Sequence, residues 1–152
     1  DSMITAKHIQ GLIDDLASTP EADGVCALQR RRRADGPLCV VKDAVDGKVA
    51  VDGSPFHITT GHFVLTLIKA DAVKRMPKPW FCETPAPDGT WNEGHVDEDI
   101  WFWHEWNKAG NKLFMSPAVS IGHLELMVSE FDEEMQPRHV HITDWRKREG
   151  LR

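Results

Sequence analysis

Three carboxylates in a row, Asp97-Glu98-Asp99, stand directly before the apolar run Ile100-Trp101-Phe102-Trp103. Acids beside so much apolar surface are costly to desolvate unless they are paired, hydrogen-bonded or used in chemistry. Two readings fit them. As the opening of a helix they would meet free backbone N–H groups and the positive end of the helix dipole. As a site, one of them would take a proton from a reacting hydroxyl, the work of a general base. Further on, His123 follows Gly122, an imidazole with either a structural or a metal-binding role. His139 and His141 alternate along one strand face, either as a surface pair or as a metal site. His104-Glu105-Trp106-Asn107-Lys108 approaches the zinc-protease pattern His-Glu-x-x-His, but Lys108 stands where the second imidazole is needed. The run Gln29-Arg30-Arg31-Arg32-Arg33 is either a solvated loop or a contact for phosphate oxygens, which Arg forks bind bidentately. No Ser-His-Asp constellation, Walker loop or Gly-x-Gly-x-x-Gly is present.

Periodicity outlines the elements that must position these residues. Ile9, Leu12, Ile13 and Leu16 recur at helical spacing and predict a helix over 5–17, capped by Thr5 or Ser2 and stopped by Pro20. Residues 25–28 read as a buried strand, and 38–41 and 48–51 as short strands about an Asp46-Gly47 turn. Thr59-Thr60-Gly61 leads into residues 62–68, apolar and β-branched enough for a central strand. Residues 70–76 predict a short helix ended by Pro77 and Pro79, and 82–94 a loop rich in Pro, Gly, Asp and Asn. The acids then open a helix over 97–109, closed by Gly110. Residues 112–115 and 118–121 are strand-like, and the charged tail 144–152 is helical or frayed. Helices alternating with strands place the chain in the α/β class.

The chain's 152 residues suffice for one domain with a real core. A net charge of −6 argues against nucleic acid as the main partner. The longest apolar run, residues 63–68, is too short to span a bilayer. No signal peptide opens the chain. Cys26, Cys39 and Cys82 are odd in number and lack metal spacing, which points to reduced thiols and a cytoplasmic location. The start at Asp1, without a methionine, is what a fragment or a processed product would show.

In order and spacing, these pieces resemble the second half of a GT-A glycosyltransferase domain, of the family-2-like kind common in bacteria and phages. The family's acid motif, any residue followed by Glu-Asp, is matched by Asp97-Glu98-Asp99. Its aromatic-faced helix with a terminal Gly is matched by Trp101 to Gly110, and its C-terminal metal-binding His by His123. The stretch TTGHFVLTLIKADAVKRMPKPWF, residues 59–81, is similar to the family segment in which a Gly-led strand and short helix precede an aromatic turn, here Pro79-Trp80-Phe81. Asp1, eight residues before Ile9, stands where the family places the last Asp of its Asp-x-Asp motif. The resemblance covers residues 1–125 and leaves 126–152 as a C-terminal extension.

The resemblance implies a partial GT-A (Rossmann-like) domain with a mixed sheet. It also implies metal-dependent, inverting transfer of a sugar from a nucleotide-sugar donor to a hydroxyl acceptor. Asp99 would be the general base, and Glu98 would orient the acceptor or cap the helix. Asp1 and His123 would hold Mn²⁺ or Mg²⁺, ions that suit oxygen and imidazole ligands. Gly61, His62, Trp80 and Trp101 would face substrate, with Trp80, Trp101 or Trp103 stacking on a sugar face. The acceptor stays open among glycan, lipid, protein and modified nucleic acid. The family's nucleotide-binding half would precede Asp1, so the resemblance implies an acceptor-side half-domain. Exposed strand edges would favour self-association or pairing with the missing half. The competing expectation is a non-catalytic α/β module that binds itself or a partner. A small metal-dependent hydrolase built on His139 and His141 is the third.

Overall fold

The computed structural model describes residues 2–29 and 53–151, apart from the His123 side chain. Asp1, Arg30–Arg33, Cys39 and the strands expected at 38–41 and 48–51 lie outside the described residues. The chain divides into two compact units, Ser2–Gly122 and His123–Arg152.

In the first unit, β1 (Ser2–Met3) leads into α1 (Ala6–Ser18), followed by β2 (Gly24–Gln29), β3 (Phe56–Ile58), β4 (Thr66–Ile68), α2 (Ala70–Arg75), α3 (Glu98–Lys108) and β5 (Leu113–His123). The strands form one mixed sheet in the order β1-β5-β2-β4, with β3 antiparallel to the start of β5. β2 and β5 are parallel neighbours at the centre, and β4 runs antiparallel along the outer side of β2. The chain is thus of mixed α/β architecture, with four helices in the described residues.

The central strands are covered on both faces, which is why residues 24–28 read as a continuous apolar run. Side chains alternate between two cores. Val25 and Ala27 of β2 join Leu12 of α1, Phe114, Val119 and Ile121 on one face. Cys26, Leu113 and Met115 join Ile58, Ala72, Met76 and the α3 residues Phe102, Trp103 and Trp106 on the other. Trp103 and Trp106 are the largest fully buried side chains. Parallel strands share their chain direction, so Gly24 and Leu113 begin one edge of the sheet while Gln29 and Ile121 lie at the other.

A polar network locks the first of these edges. Asp23 bonds Arg75 at 2.7 Å and the Lys112 N–H at 3.0 Å. Buried Asn111 accepts from Arg75 at 2.6 Å and donates to the Ala72 carbonyl at 3.1 Å. The turn after α3 is thereby tied to α2 and to the entry of β2.

Two expectations needed correction. The run 62–68 is not a central strand: only Thr66–Ile68 pairs, at the outer side of β2. The His62 ring instead bonds the Ala27 carbonyl at 2.8 Å, and Thr66 Oγ1 donates back to the His62 carbonyl, which curls the segment before it can extend. The two strands expected at 112–115 and 118–121 are one strand, β5, interrupted by a bulge: Ala27 pairs with Ser116 but Leu28 with Ser120. Ser116 Oγ pins that bulge, donating to Asp15 of α1 and accepting from the Val119 N–H at 3.2 Å.

The second unit is a hairpin of β6 (Met127–Phe131) and β7 (Pro137–His141), followed by α4 (Ile142–Arg148). Glu130 anchors it, bonding Arg138 from the facing strand and Arg148 from α4, both at 2.7 Å. The two arginines hold the Glu130 carboxyl well below its usual range, at about 2. Among the described residues, no helix is long and apolar enough to cross a membrane.

Candidate active site

Asp97 takes the N-cap position of α3 in an extended conformation, and the helix closes at Ala109 before Gly110, whose φ of +75° suits a residue without a Cβ. Glu98 and Asp99 therefore occupy the first turn, where backbone N–H groups lack intrahelical partners. One turn on, Phe102 and Trp103 lie on the same helix face as Asp99. The carboxylate of Asp99 is half-buried: Oδ1 accepts from the Ile100 N–H at 2.7 Å, and Oδ2 has no partner among the described residues.

The segment after α2 runs alongside this helix start. The Pro79 carbonyl accepts from the Trp101 indole at 3.4 Å, the Phe81 ring stacks on Phe102 at 5.0 Å, and Thr84 bridges to Val96. Phe63 stacks on Trp103 at 5.0 Å and meets Phe81 edge-on at 5.5 Å. A continuous aromatic bed thus rises from the buried Trp106 to Phe63 and Phe81, which are 40% and 51% exposed. The buried indole N–H groups of Trp103 and Trp106 find no partner among the described residues, so these rings are kept for their faces and volume.

Around the rim the charges are acidic. Between Phe81 and Ile100 the sequence carries Glu83, Asp88, Glu93, Asp97, Glu98 and Asp99, and no Lys or Arg. Glu83 hydrogen-bonds Glu98, and that bond together with the neighbouring negative charge raises its carboxyl above the usual range. His95 lies 2.5 Å from Asp97. The Asn92 carbonyl, and after it the Asp97 and Glu83 carboxylates, hold its imidazole above the ordinary value.

The other sequence-derived residues fall in several places. Trp80 and Trp101 are half-buried beside Pro79, each with an ammonium over its ring: Lys78 at 5.1 Å and Lys108 at 5.9 Å. Gly61 lies under the sheet, where an added Cβ would stand 2.8 Å from Leu113 and 3.5 Å from Trp103, so its smallness serves packing. His62 is buried, which lowers its pKa and keeps the ring neutral; Nε2 is taken by the Ala27 carbonyl while Nδ1 has no partner. Asp1 and the His123 side chain lie outside the described residues. Among the described residues, no group of three or more His, Cys, Asp and Glu is arranged to hold a metal ion. His139 Nδ1 bonds Ser129, and His141 Nδ1 accepts from the Thr143 N–H to cap α4, so both have structural work in the hairpin. A groove of about 330 Å³ between α1 and the β5 bulge, lined by Lys7, Gly11, Asp14 and Val119, includes none of these residues.

Sequence reasoning missed three features of this region. Glu83 sits in an aperiodic loop, and only the one-signed charge of 82–99 hints at it. Phe63 belonged to a run read as strand. Gln29 ends the apolar stretch of β2 and was read with the arginines that follow, yet it is fully buried. The chain matches no family model, no curated protein and no solved structure.

Proposed function

We propose that the chain carries the acceptor and metal side of a GT-A-type glycosyltransferase domain, transferring a sugar from a nucleotide-sugar donor to a hydroxyl acceptor with inversion. One observation carries the reading: Met3 packs against Gly122, with its Cβ 3.5 Å from where a Gly122 side chain would start. β1 also neighbours β5 in the sheet. Met3 lies two residues after Asp1, and Gly122 directly precedes His123. The two proposed ligands are thus flanked in sequence by residues that touch, at the carboxyl end of parallel strands, where open α/β sheets bind their ligands.

Asp1 and His123 would hold Mn²⁺ or Mg²⁺, an oxygen and imidazole pair that suits these ions. The bound cation would act as a Lewis acid on the departing diphosphate. Asp99 Oδ2 accepts the proton of the acceptor hydroxyl as its oxygen bonds the anomeric carbon from the face opposite the leaving group. The electrons of the broken C–O bond leave with the diphosphate. Glu98 orients the acceptor. Trp80 and Trp101, with Phe63 and Phe81, supply apolar faces for sugar rings, and Gly61 and His62 would act next to substrate through the segment that carries Phe63. The one-signed acidic charge of residues 82–99 favours an uncharged, hydroxyl-rich acceptor, a glycan, while the diphosphate of the donor would be neutralised by the cation.

The reading is tested by incubating the protein with Mn²⁺, a panel of radiolabelled nucleotide sugars and a panel of neutral oligosaccharides. Transfer that falls about 10²–10⁴-fold in Asp99→Asn, the usual worth of a general base, supports it. No transfer from any donor, or Asp99→Asn acting like the wild type, refutes it. A second reading, an association module, draws on the second unit, where Leu126, Phe131 and Met135 are 69%, 63% and 71% exposed. Exposed apolar residues of this size favour burial against another chain.

A further inference from the structure

The hairpin of the second unit has one guarded edge and one open edge. Among the described residues β6 and β7 pair only with each other, so each strand keeps an outer side. The bonds that flank the ladder run from the Ile142 N–H to the Leu126 carbonyl at 2.9 Å and from the Asp132 N–H to the Gln136 carbonyl at 3.0 Å. Backbone groups of an antiparallel strand point alternately toward the partner and away from it. The backbones of Val128 and Glu130 therefore bond β7, while those of Met127, Ser129 and Phe131 turn their N–H and C=O groups outward. Along β7 the outward positions are Pro137, which has no N–H, His139, and His141, which turns at once into α4 as its N-cap. The outward positions of β6 carry neither proline nor charge, the usual guards of an edge strand. Met127, Ser129 and Phe131 are all exposed, and their outward groups meet no hydrogen-bond partner among the described residues.

We propose that the outer edge of β6 pairs antiparallel with the same edge of a second copy of this chain, about a two-fold axis at Ser129. The inference rests on the association reading given above and names its partner. Complementarity selects both the occupant and the register. With the axis at Ser129, that residue meets its own counterpart and Met127 meets Phe131 of the second copy, each pair exchanging its outward N–H and C=O groups. The Met127 thioether then lies beside the Phe131 ring, a favourable contact made twice by the symmetry. On the α4 face Glu130 stands opposite Val128, so the carboxylate that Arg138 and Arg148 already hold faces no second carboxylate. Moving the axis to Glu130 would set the two Glu130 side chains against each other, and moving it to Val128 would set Phe131 against Glu125. Beyond the strand ends Glu125 would meet Glu133, so the pairing stops with β6. A lone two-stranded hairpin is marginal in water, and the pairing makes a four-stranded sheet of it. The contact is small, which makes the dimer weak and dependent on concentration.

The test is sedimentation equilibrium of the full chain from micromolar to millimolar concentration, for the wild type, Ser129→Pro and Phe131→Lys, with circular dichroism to check folding. The wild type is expected to show a monomer–dimer equilibrium. Ser129→Pro removes the N–H that each copy donates at the axis, at an edge position where the monomer tolerates proline, and is expected to weaken the dimer about 10-fold or more. Phe131→Lys, at an exposed position, puts a charge where the Met127 contact would be and is expected to weaken it to a similar degree. It keeps the test alive if Ser129→Pro fails to fold. Ser129→Cys adds a positive readout: facing Cα atoms of such a pair stand about 5.5 Å apart, within the span a disulfide bridges. Mild oxidation is expected to link two copies through the introduced thiols, identified by peptide mapping. A dimer that keeps its affinity in the folded variants, or that forms no disulfide at position 129, has its contact elsewhere and overturns the edge pairing while leaving the association reading in place. A wild type that stays monomeric up to millimolar concentration overturns self-association altogether, so the two failures are told apart.

Discussion

Replacing Phe102 by Ala probes the aromatic bed that carries Asp99. The ring is 2% exposed, with centroids of Phe63, Phe81 and Trp103 at 5.0 Å and of Trp106 at 5.9 Å. Removing a buried Phe costs about 3–5 kcal/mol in lost transfer energy and residual cavity. That is a large share of the roughly 5–15 kcal/mol that holds a domain folded. With a urea slope of about 2 kcal/mol per molar, the unfolding midpoint should fall by about 2 M, followed by the fluorescence of Trp103 and Trp106. Phe81 is half-exposed and stacks on the same ring, so Phe81→Ala should cost about 1–2 kcal/mol. The double variant should show a coupling of about 0.5–1.5 kcal/mol, the worth of one aromatic pair. A Phe102→Ala loss below about 1 kcal/mol, or equal losses in the two single variants, would refute the view that α3 is held by this bed.

Three other outcomes follow from particular contacts. Gly61→Ala should destabilise by about 1–3 kcal/mol through overpacking against Leu113 and Trp103, read as a lowered urea midpoint. Burial lowers the His62 pKa below 6.5, so the unfolded chain binds a proton that the folded one does not; stability should be full above pH 6.5 and decline as pH falls below it, and His62→Gln should flatten that slope. Glu130 is held at about 2 against an ordinary 4.5, so the second unit should be most stable above pH 4.5 and lose stability as pH falls toward 2; Arg148→Met should weaken this dependence, as should high salt, which screens exposed pairs.

Helix α3 was legible in the sequence because its signals agree: acids at the start, apolar residues at helical spacing, and a glycine just past the end. α1 was legible from its apolar residues at helical spacing, with Thr5 at the N-cap, donating its N–H to His8 Nδ1 at 3.2 Å, and Pro20 just past its end. What escaped reading depended on partners distant in sequence. The bulge in β5 is pinned by Asp15 of α1, a partner about a hundred residues away. The curl at 62–65 exists because a histidine ring takes a carbonyl from β2. The β6–β7 hairpin turns through Met135 at φ +60°, a conformation that a glycine or asparagine would have announced and a methionine does not. At the site, the acids were visible as a row, but the Glu83–Glu98 pairing and the burial of Gln29 arise only when the loop and the first strand fold against them.

The measurement that bears most directly on the account is Mn²⁺ binding by calorimetry, with and without UDP, for the wild type, His123→Ala and Asp99→Asn. The account predicts binding that is lost in His123→Ala, kept in Asp99→Asn, and strengthened when UDP is present. A well-folded wild type that binds no Mn²⁺, or a His123→Ala variant that binds it as tightly, would contradict it.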